Sequence, residues 1–315
     1  MKYVLGLDGG GTKTECVLMD VEGTACAQGR SGPSNPMRVG FGGALAAVCE
    51  AARWAMQDAK VAPEDVVALC AGLAGAAASE AARKMKKLLS EEYPGRFVLV
   101  CTDLELTLEA TGDVAAIVLV AGTGSAAVGR DIHGHVARVG GHGPLLGDEG
   151  SAYDIGKQAA IAALREYDRT GKTSELGAKI LKELRMNDWQ EFQARVHAVP
   201  DEVFPRIFPV IGKAADEGDI GAQEFLQLAA AELGWLVNDL VDRLDLREQK
   251  FLLVKSGGAV HRSNYFDGQL NQRLREAAPR AEFGALAMTA AEAAARMALR
   301  LLNDQGNERS ERGEA

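Results

Sequence analysis

This sequence has no apolar run near the ~18 residues of a membrane-spanning helix, which argues against an integral membrane protein. Positive charge is not in surplus either: 35 Lys and Arg stand against 44 Asp and Glu, a net charge of −9. Nucleic acids are held by basic surfaces, so no nucleic-acid partner is expected. Cys-x-x-Cys pairs are missing. The five cysteines (Cys16, Cys26, Cys49, Cys70, Cys101) are odd in number, widely spaced and confined to the first third. That pattern suits reduced core residues of a cytoplasmic protein rather than a disulfide framework, a metal site or an iron–sulfur cluster. From Met1 to Gly11 the chain meets Asp8 and glycines too early for a signal peptide, which again points to the cytoplasm. His133, His135, His197 and His261 form no metal-ligand cluster, and His142 between two glycines has no partners to make one.

What is present is glycine in two matching places. The first is YVLGLDGGGTKTECVLMDVEG, Tyr3 to Gly23; the second is AIVLVAGTGSAAVGRDIHG, Ala116 to Gly134. Each has an apolar run, a glycine–threonine turn, an outgoing extended segment and an Asp-x-x-Gly turn. Glycine permits close backbone approach and φ > 0, so such a turn can aim N–H groups at an anion. Two in one chain suggest a duplicated unit that grips a polyphosphate. The first turn is not a P-loop, because Thr12 rather than Lys follows Gly11 and a strand rather than a helix comes next. The second, Gly122-Thr123-Gly124-Ser125-Ala126-Ala127, is not a dinucleotide fingerprint, because Val128-Gly129-Arg130-Asp131 runs into another turn. Two ordinary hairpin turns remain the bland alternative.

At 315 residues the chain is long enough for two domains. Strands are predicted at Tyr3–Leu7, Thr14–Asp20, Thr24–Gly29, Val66–Leu73 and Phe97–Cys101. Helices are predicted at Ala44–Ala59 and Ser79–Leu89. A second unit starts near Val114, with a glycine-rich stretch from Val139 to Gly150 and a mostly helical region from Ser151 to Leu246. A strand at Phe251–Val254 runs into Ser256-Gly257-Gly258-Ala259. Thr289–Leu302 reads as a last helix, and the polar residues 304–315 read as a disordered tail.

LDGGGTKT, the Ser34-Asn35 loop, Cys101-Thr102-Asp103, VAGTGS, GGHGPLLGDEGSAYDIG and SGGAV, in that order, resemble the BadF/BadG/BcrA/BcrD-type ATPases. The nearest likeness within them is to the N-acetylglucosamine kinases of the actin–hexokinase–chaperone superfamily. The resemblance covers about Met1 to Leu302 and implies an α/β fold of two duplicated ribonuclease H-like lobes. A nucleotide cleft would lie between them, with a helical insertion in the second. It implies lobes at 1–113, with a helix at 288–303 packing back on the first, and at 114–287. The implied activity is transfer of the γ-phosphate of ATP to the 6-hydroxyl of N-acetylglucosamine or a related amino sugar. ATP and Mg²⁺ are the implied cofactors, a small sugar is the implied ligand, and a homodimer is a further expectation. In this chain Gly141-His142-Gly143 replaces the usual Gly-Trp-Gly, and Asp154 stands where Trp is common. Both departures bear on the sugar more than on the reaction, so glucosamine and N-acetylmuramic acid stay open as acceptors. The family's electron-transfer ATPases carry cluster-ligating cysteines near the second phosphate loop; here Ala121 precedes that loop and no cysteine follows Cys101. The zinc motif of the ROK sugar kinases is also missing. A nucleotide-dependent binding module without catalysis is a further alternative.

Residue by residue, Gly10, Gly11 and Thr12 are expected at the phosphates, with Thr123, Gly124 and Ser125 from the second unit. Lys13 is either a phosphate cation or a solvated strand residue. Asp8, at the end of a buried strand, can hold Mg²⁺ or bond to its own turn. Asp103, after the strand Phe97–Cys101, is expected as the general base, though it and Thr102 would also suit a helix N-cap. Asn35, Asp148, Gly141, His142 and Gly143 are the expected sugar contacts. Asn35 could instead form a turn and Asp148 could cap a helix. Gly257, Gly258 and Ala259 are expected against adenosine, or simply make a tight turn.

Overall fold

The computed structural model describes residues 1–76 and 79–311. The chain divides into two compact units: Met1–Asp113 together with the segment from Leu286 onward, and Val114–Ala285.

The first unit is built on a five-stranded sheet of β1 (Tyr3–Gly9), β2 (Thr14–Asp20), β3 (Ala25–Ser31), β4 (Val66–Leu73) and β5 (Phe97–Cys101), in the order β3-β2-β1-β4-β5. β1 and β2 form an antiparallel hairpin, whereas β4 runs parallel to both β1 and β5. Side chains alternate across a strand, so Leu5, Leu7 and Leu18 face one side, where they pack with Val48, Ala51 and Ala52 of α1 (Pro36–Asp58). Val4, Val17 and Met19 face the other, against Ala291, Ala294, Ala295 and Ala298 of the last helix. Both faces are covered, which is why these strands read as continuous apolar runs. Gly6 marks the closest approach: a methyl group there would run into the backbone of Ala291 and Ala295. The remaining helices of this unit are α2 (Ser79–Glu92) and α3 (Asp103–Glu109).

The second unit repeats the plan. β6 (Ala116–Ala121), β7 (Ser125–Arg130), β8 (Val136–Gly140), β9 (Phe251–Ser256) and β10 (Ala281–Gly284) lie in the order β10-β9-β6-β7-β8. Between β8 and β9 the chain inserts α4 (Ala152–Thr170), α5 (Glu175–Leu184), α6 (Trp189–Ala198), α7 (Pro200–Val203), α8 (Phe208–Asp216) and α9 (Ile220–Arg243). Helix α10 (Asn264–Ala277) joins β9 to β10 and lays Phe266, Leu270 and Leu274 on the same core as Ile117, Leu119, Leu233 and Val237. The Asp-x-x-Gly turns repeat down to their hydrogen bonds. Gly23 N–H donates to Asp20 O (3.1 Å) and Gly134 N–H to Asp131 O (3.2 Å). In addition, Thr24 N–H donates to Asp20 Oδ1 (2.8 Å) and His135 N–H to Asp131 Oδ1 (2.8 Å).

Several elements differ from the sequence expectation. α1 begins at Pro36 rather than Ala44, because Asn35 caps it, and non-helical Gly40 (φ 71°) kinks its start. β8 and β10 are additional strands; β10 is four residues long and mostly exposed, so it lacks the apolar pattern of the others. The last helix, α11 (Ala290–Glu311), extends well beyond 303, so the tail expected to be disordered from 304 is helical as far as Glu311. No proline interrupts it there, and each added residue closes a further backbone bond. Residues 312–315 lie outside the described residues. Among the described residues, no helix is long and apolar enough to cross a membrane.

Candidate active site

In the first unit the pairing Gly9↔Thr14 closes the β1–β2 hairpin, and Gly10 N–H donates to Lys13 O (2.9 Å). Gly11 and Thr12 N–H have no protein acceptor among the described residues, as an anion-binding turn requires. The turn is bound to the Asn35 loop: Ser34 N–H donates to Gly10 O (3.0 Å). The Thr14 hydroxyl lies 2.7 Å from both the Gly32 carbonyl and the buried Ser34 hydroxyl. Ser34 was not expected at the site. The Asn35 side chain accepts from Met37 N–H (2.9 Å), so it caps α1. Lys13 ion-pairs with Glu15 at 2.7 Å, and Arg30 reaches the same carboxylate at 3.3 Å.

Asp8 sits directly across the hairpin from Glu15 and beside Gly72 of β4. Burial, then the charges of Asp103 and Glu15, push its pKa up to about 6, with Lys13 opposing. No turn amide among the described residues donates to it, so it does not make the Asx-type bond that the turn could have used.

Asp103 opens α3, but Thr102 is the cap. Thr102 Oγ1 accepts from Glu105 N–H (3.2 Å), and Glu105 Oε2 accepts from Thr102 N–H (2.7 Å), a reciprocal capping box. Asp103 Oδ1 accepts from Leu104 N–H (3.1 Å), and the backbone amide of Asp103 itself also bonds the carboxylate. The side chain is solvent-accessible, yet enough protein surrounds it that desolvation, helped by Glu105, raises its pKa. β1 and β5 therefore bring two carboxylates, Asp8 and Asp103, close enough to repel at their carboxyl ends.

In the second unit Ala121↔Ser125 closes the hairpin and Gly122 N–H donates to Gly124 O (2.9 Å). The turn is gripped from outside: Ala152 N–H donates to Gly122 O (2.9 Å) and Tyr153 N–H to Thr123 O (3.3 Å). Thr123 and Gly124 N–H keep no protein acceptor among the described residues. The segment Gly257-Gly258-Ala259 lies on this turn, with Ala259 N–H donating to Ala121 O (3.0 Å). Gly257 has φ 105°, and a side chain there would strike the Ala121 carbonyl, so only glycine fits.

Asp148 is buried, with φ 64°, and its carboxylate accepts from Ser125 N–H (3.2 Å). It does not cap α4: Ser151 does, accepting from Asp154 N–H (3.1 Å). Burial pushes Asp148 up, against the Ser125 bond and the nearby His142. His142 is exposed, between Gly141 (φ 72°) and Gly143 (φ 83°), on a loop anchored by Gly141 N–H to Ser125 O (3.0 Å). The first unit thus collects Asp8, Gly10–Lys13, Asn35 and Asp103, and the second collects Thr123–Ser125, Gly141–Gly143, Asp148 and Gly257–Ala259.

Two sheets of one topology, each opening on a hairpin with a glycine turn, define the actin-like fold of sugar kinases and related ATPases. The chain belongs to the BadF/BadG/BcrA/BcrD ATPase family, whose model matches residues 5–287. It is 30% identical over 280 residues to an N-acetylmuramic acid/N-acetylglucosamine kinase of Clostridium acetobutylicum, covering 87% of this chain and 90% of that one. It is 29% identical over 297 residues to an N-acetyl-D-glucosamine kinase of Dictyostelium discoideum, covering 88% and 92%. A crystal structure from Chromobacterium violaceum, of a candidate N-acetylglucosamine kinase, superposes with a TM-score of 0.75 at 24% identity, covering 96% and 99%.

Proposed function

We propose that this protein is an ATP-dependent kinase that transfers the γ-phosphate of ATP to the 6-hydroxyl of an amino sugar, N-acetylglucosamine or its lactyl ether N-acetylmuramic acid. Family membership and the relatives' activities support the class of reaction. The observation that carries it is Asp103: Thr102 and Glu105 do the capping, which leaves a solvent-accessible carboxylate of raised pKa bonded only to the amides of Leu104 and its own residue among the described residues.

Phosphoryl transfer requires a held polyphosphate, charge neutralisation and a proton acceptor. The unspent amides of Gly11 and Thr12, and of Thr123 and Gly124, are the phosphate donors of the two turns. Gly257–Ala259, lacking bulk, lets the adenosine approach the backbone. Asp103 takes the proton of the sugar hydroxyl as that oxygen bonds to the γ-phosphorus and the bond to the β-phosphate oxygen breaks, releasing ADP. Asn35 and Asp148, with His142 flanked by Gly141 and Gly143, are assigned to the sugar.

The donor chemistry around Asp8 fits Mg²⁺: its carboxylate oxygens have no hydrogen-bond donor among the described residues, and the charges of Asp103 and Glu15 outweigh that of Lys13 upon it. No set of three or more His, Cys, Asp or Glu converges to hold a metal alone among the described residues. Asp8 would therefore be the protein's one carboxylate for such an ion, a hard oxygen donor of the kind Mg²⁺ prefers. Bound there, Mg²⁺ would supply charge neutralisation for phosphoryl transfer. Buried thiols at Cys16, Cys70 and Cys101 support a reducing, cytoplasmic setting.

The test is ADP release with ATP and Mg²⁺ over N-acetylglucosamine, N-acetylmuramic acid, glucosamine and glucose. The two N-acetylated sugars are expected to lead in kcat/KM, because a site that hydrogen-bonds a substituent leaves its own groups unpaired when the substituent is missing. A clear preference for glucose removes the amino-sugar assignment.

A further inference from the structure

Among the described residues, Lys13 and Arg38 both stand at the first phosphate turn, and they are not equivalent. Lys13, inside the turn, is spent: its Nζ is 2.7 Å from Glu15 Oε2, while Arg30 grips the other oxygen of that carboxylate at 3.3 Å. The second cation is Arg38, on the opening turn of α1, three residues after the Asn35 cap. A Cβ built on Gly11 would lie 3.2 Å from Arg38 Nη1 and 3.7 Å from its Cζ, so the guanidinium overhangs the peptide of Gly11. The side chain is exposed and takes part in no ion pair or side-chain hydrogen bond among the described residues. The backbone under it is also locked to the turn, through Ser34 N–H to Gly10 O and Arg38 N–H to Asn35 O, both 3.0 Å. A guanidinium held over a turn with two unspent amides, with no carboxylate of its own, is a planar donor fork waiting for an anion.

Building on the ATP-binding reading of this turn, we infer that Arg38, rather than Lys13, is the cation that engages the terminal phosphate of the nucleotide. Its donors hold the γ-phosphoryl oxygens in the ground state and follow the charge that develops on them during transfer. Lys13 instead offsets Glu15 beside Asp8. Arg38 is then a catalytic residue that the turn motif does not contain, supplied by the neighbouring helix.

The experiment compares ATP and ADP affinity, by calorimetry with Mg²⁺, for the wild type and for Arg38→Ala, Arg38→Lys and Lys13→Ala. Charge-assisted hydrogen bonds of this kind set the scale: Arg38→Ala should weaken ATP about 10–100-fold and ADP by no more than about 2-fold. Arg38→Lys should fall between, keeping the charge but losing the fork, and Lys13→Ala should cost ATP less than Arg38→Ala. Arg38 is exposed, so unchanged melting of the variants is expected, and Arg38→Gln repeats the test if Arg38→Ala melts early. A wild type that phosphorylates no sugar, yet shows this ATP-selective loss, keeps the arginine assignment and removes only the acceptor reading. An equal loss for both nucleotides, no loss, or a larger loss from Lys13→Ala overturns it.

Discussion

The two units share a sheet order, a glycine hairpin and even an Asp-x-x-Gly turn, but they place different residues before the glycine turn. Before the first glycine turn stands Asp8, and before the second stands Ala121. Asp8 has no hydrogen-bond donor among the described residues and is pushed up by burial and the charges of Asp103 and Glu15, while Asp103 keeps two backbone amides. The second unit's carboxylate, Asp148, is folded under its turn and satisfied by a backbone amide. A duplicated scaffold has thus kept its backbone chemistry in both copies, while a carboxylate without a hydrogen-bond donor among the described residues, Asp8, stands at the turn of one. Unrelieved charge costs stability, and groups perturbed in this way cluster at functional sites.

Substitution of Asp103 should separate the units most sharply. Asp103→Asn is expected to lower kcat about 10²–10⁴-fold, as for a positioned acid–base group, with ATP affinity nearly intact. Wild-type turnover in this variant would reduce Asp103 to part of a helix start.

Asp8 comes next, and its stability effect runs the opposite way to its activity effect. Its folded pKa of about 6 lies above the ordinary 3.8, so ionising it opposes folding. That penalty is complete above about pH 6, shrinks as pH falls from 6 towards 4, and is gone once both states are protonated. Asp8→Asn should therefore raise the melting midpoint at pH 8 and leave it unchanged near pH 4, while lowering turnover about 10–100-fold. In the wild type, activity should fall as pH drops through 6, with a rising Mg²⁺ requirement. Melting curves and Mg²⁺ titrations across that range check both halves.

Asp148→Ala probes the other side of the comparison. Leaving Ser125 N–H without its acceptor should cost about 1–3 kcal/mol, read as a lower melting midpoint. An unchanged midpoint with only a raised sugar KM would show that the second carboxylate is spent on substrate as well. The smallest effect is expected from His142→Trp, on the exposed loop beside Asp148. It should reorder kcat/KM among the four sugars by a few-fold, and an unchanged ranking takes His142 out of the site.

Much of this was legible in residue order. Both hairpins, with strands at Thr14–Asp20, Val66–Leu73 and Phe97–Cys101, fall where apolar runs and glycine turns put them. β10 escaped because four mostly exposed residues carry no pattern, and the start of α1 escaped because Gly40 breaks its periodicity. The rival capping roles of Thr102 and Asp103 could be narrowed in sequence by Glu105, three residues after Thr102, which completes a capping box. The Asp148 and Ser151 pair had a similar cue in Asp154. No such cue marks Arg38, which lies 27 residues from Gly11 in the chain.

The sequence by itself determined the turns, the duplicated hairpins and the apolar faces, because each depends on residues a few positions apart: φ > 0 at Gly23 and Gly134, period-two burial, a cap and its partner. Only the tertiary structure decided what the charged groups do. Whether Asp8 is relieved or crowded, and which amide Asp148 satisfies, depend on strands and helices brought together from distant parts of the chain. A carboxylate's pKa is set by what surrounds it in space, which its sequence neighbours do not specify.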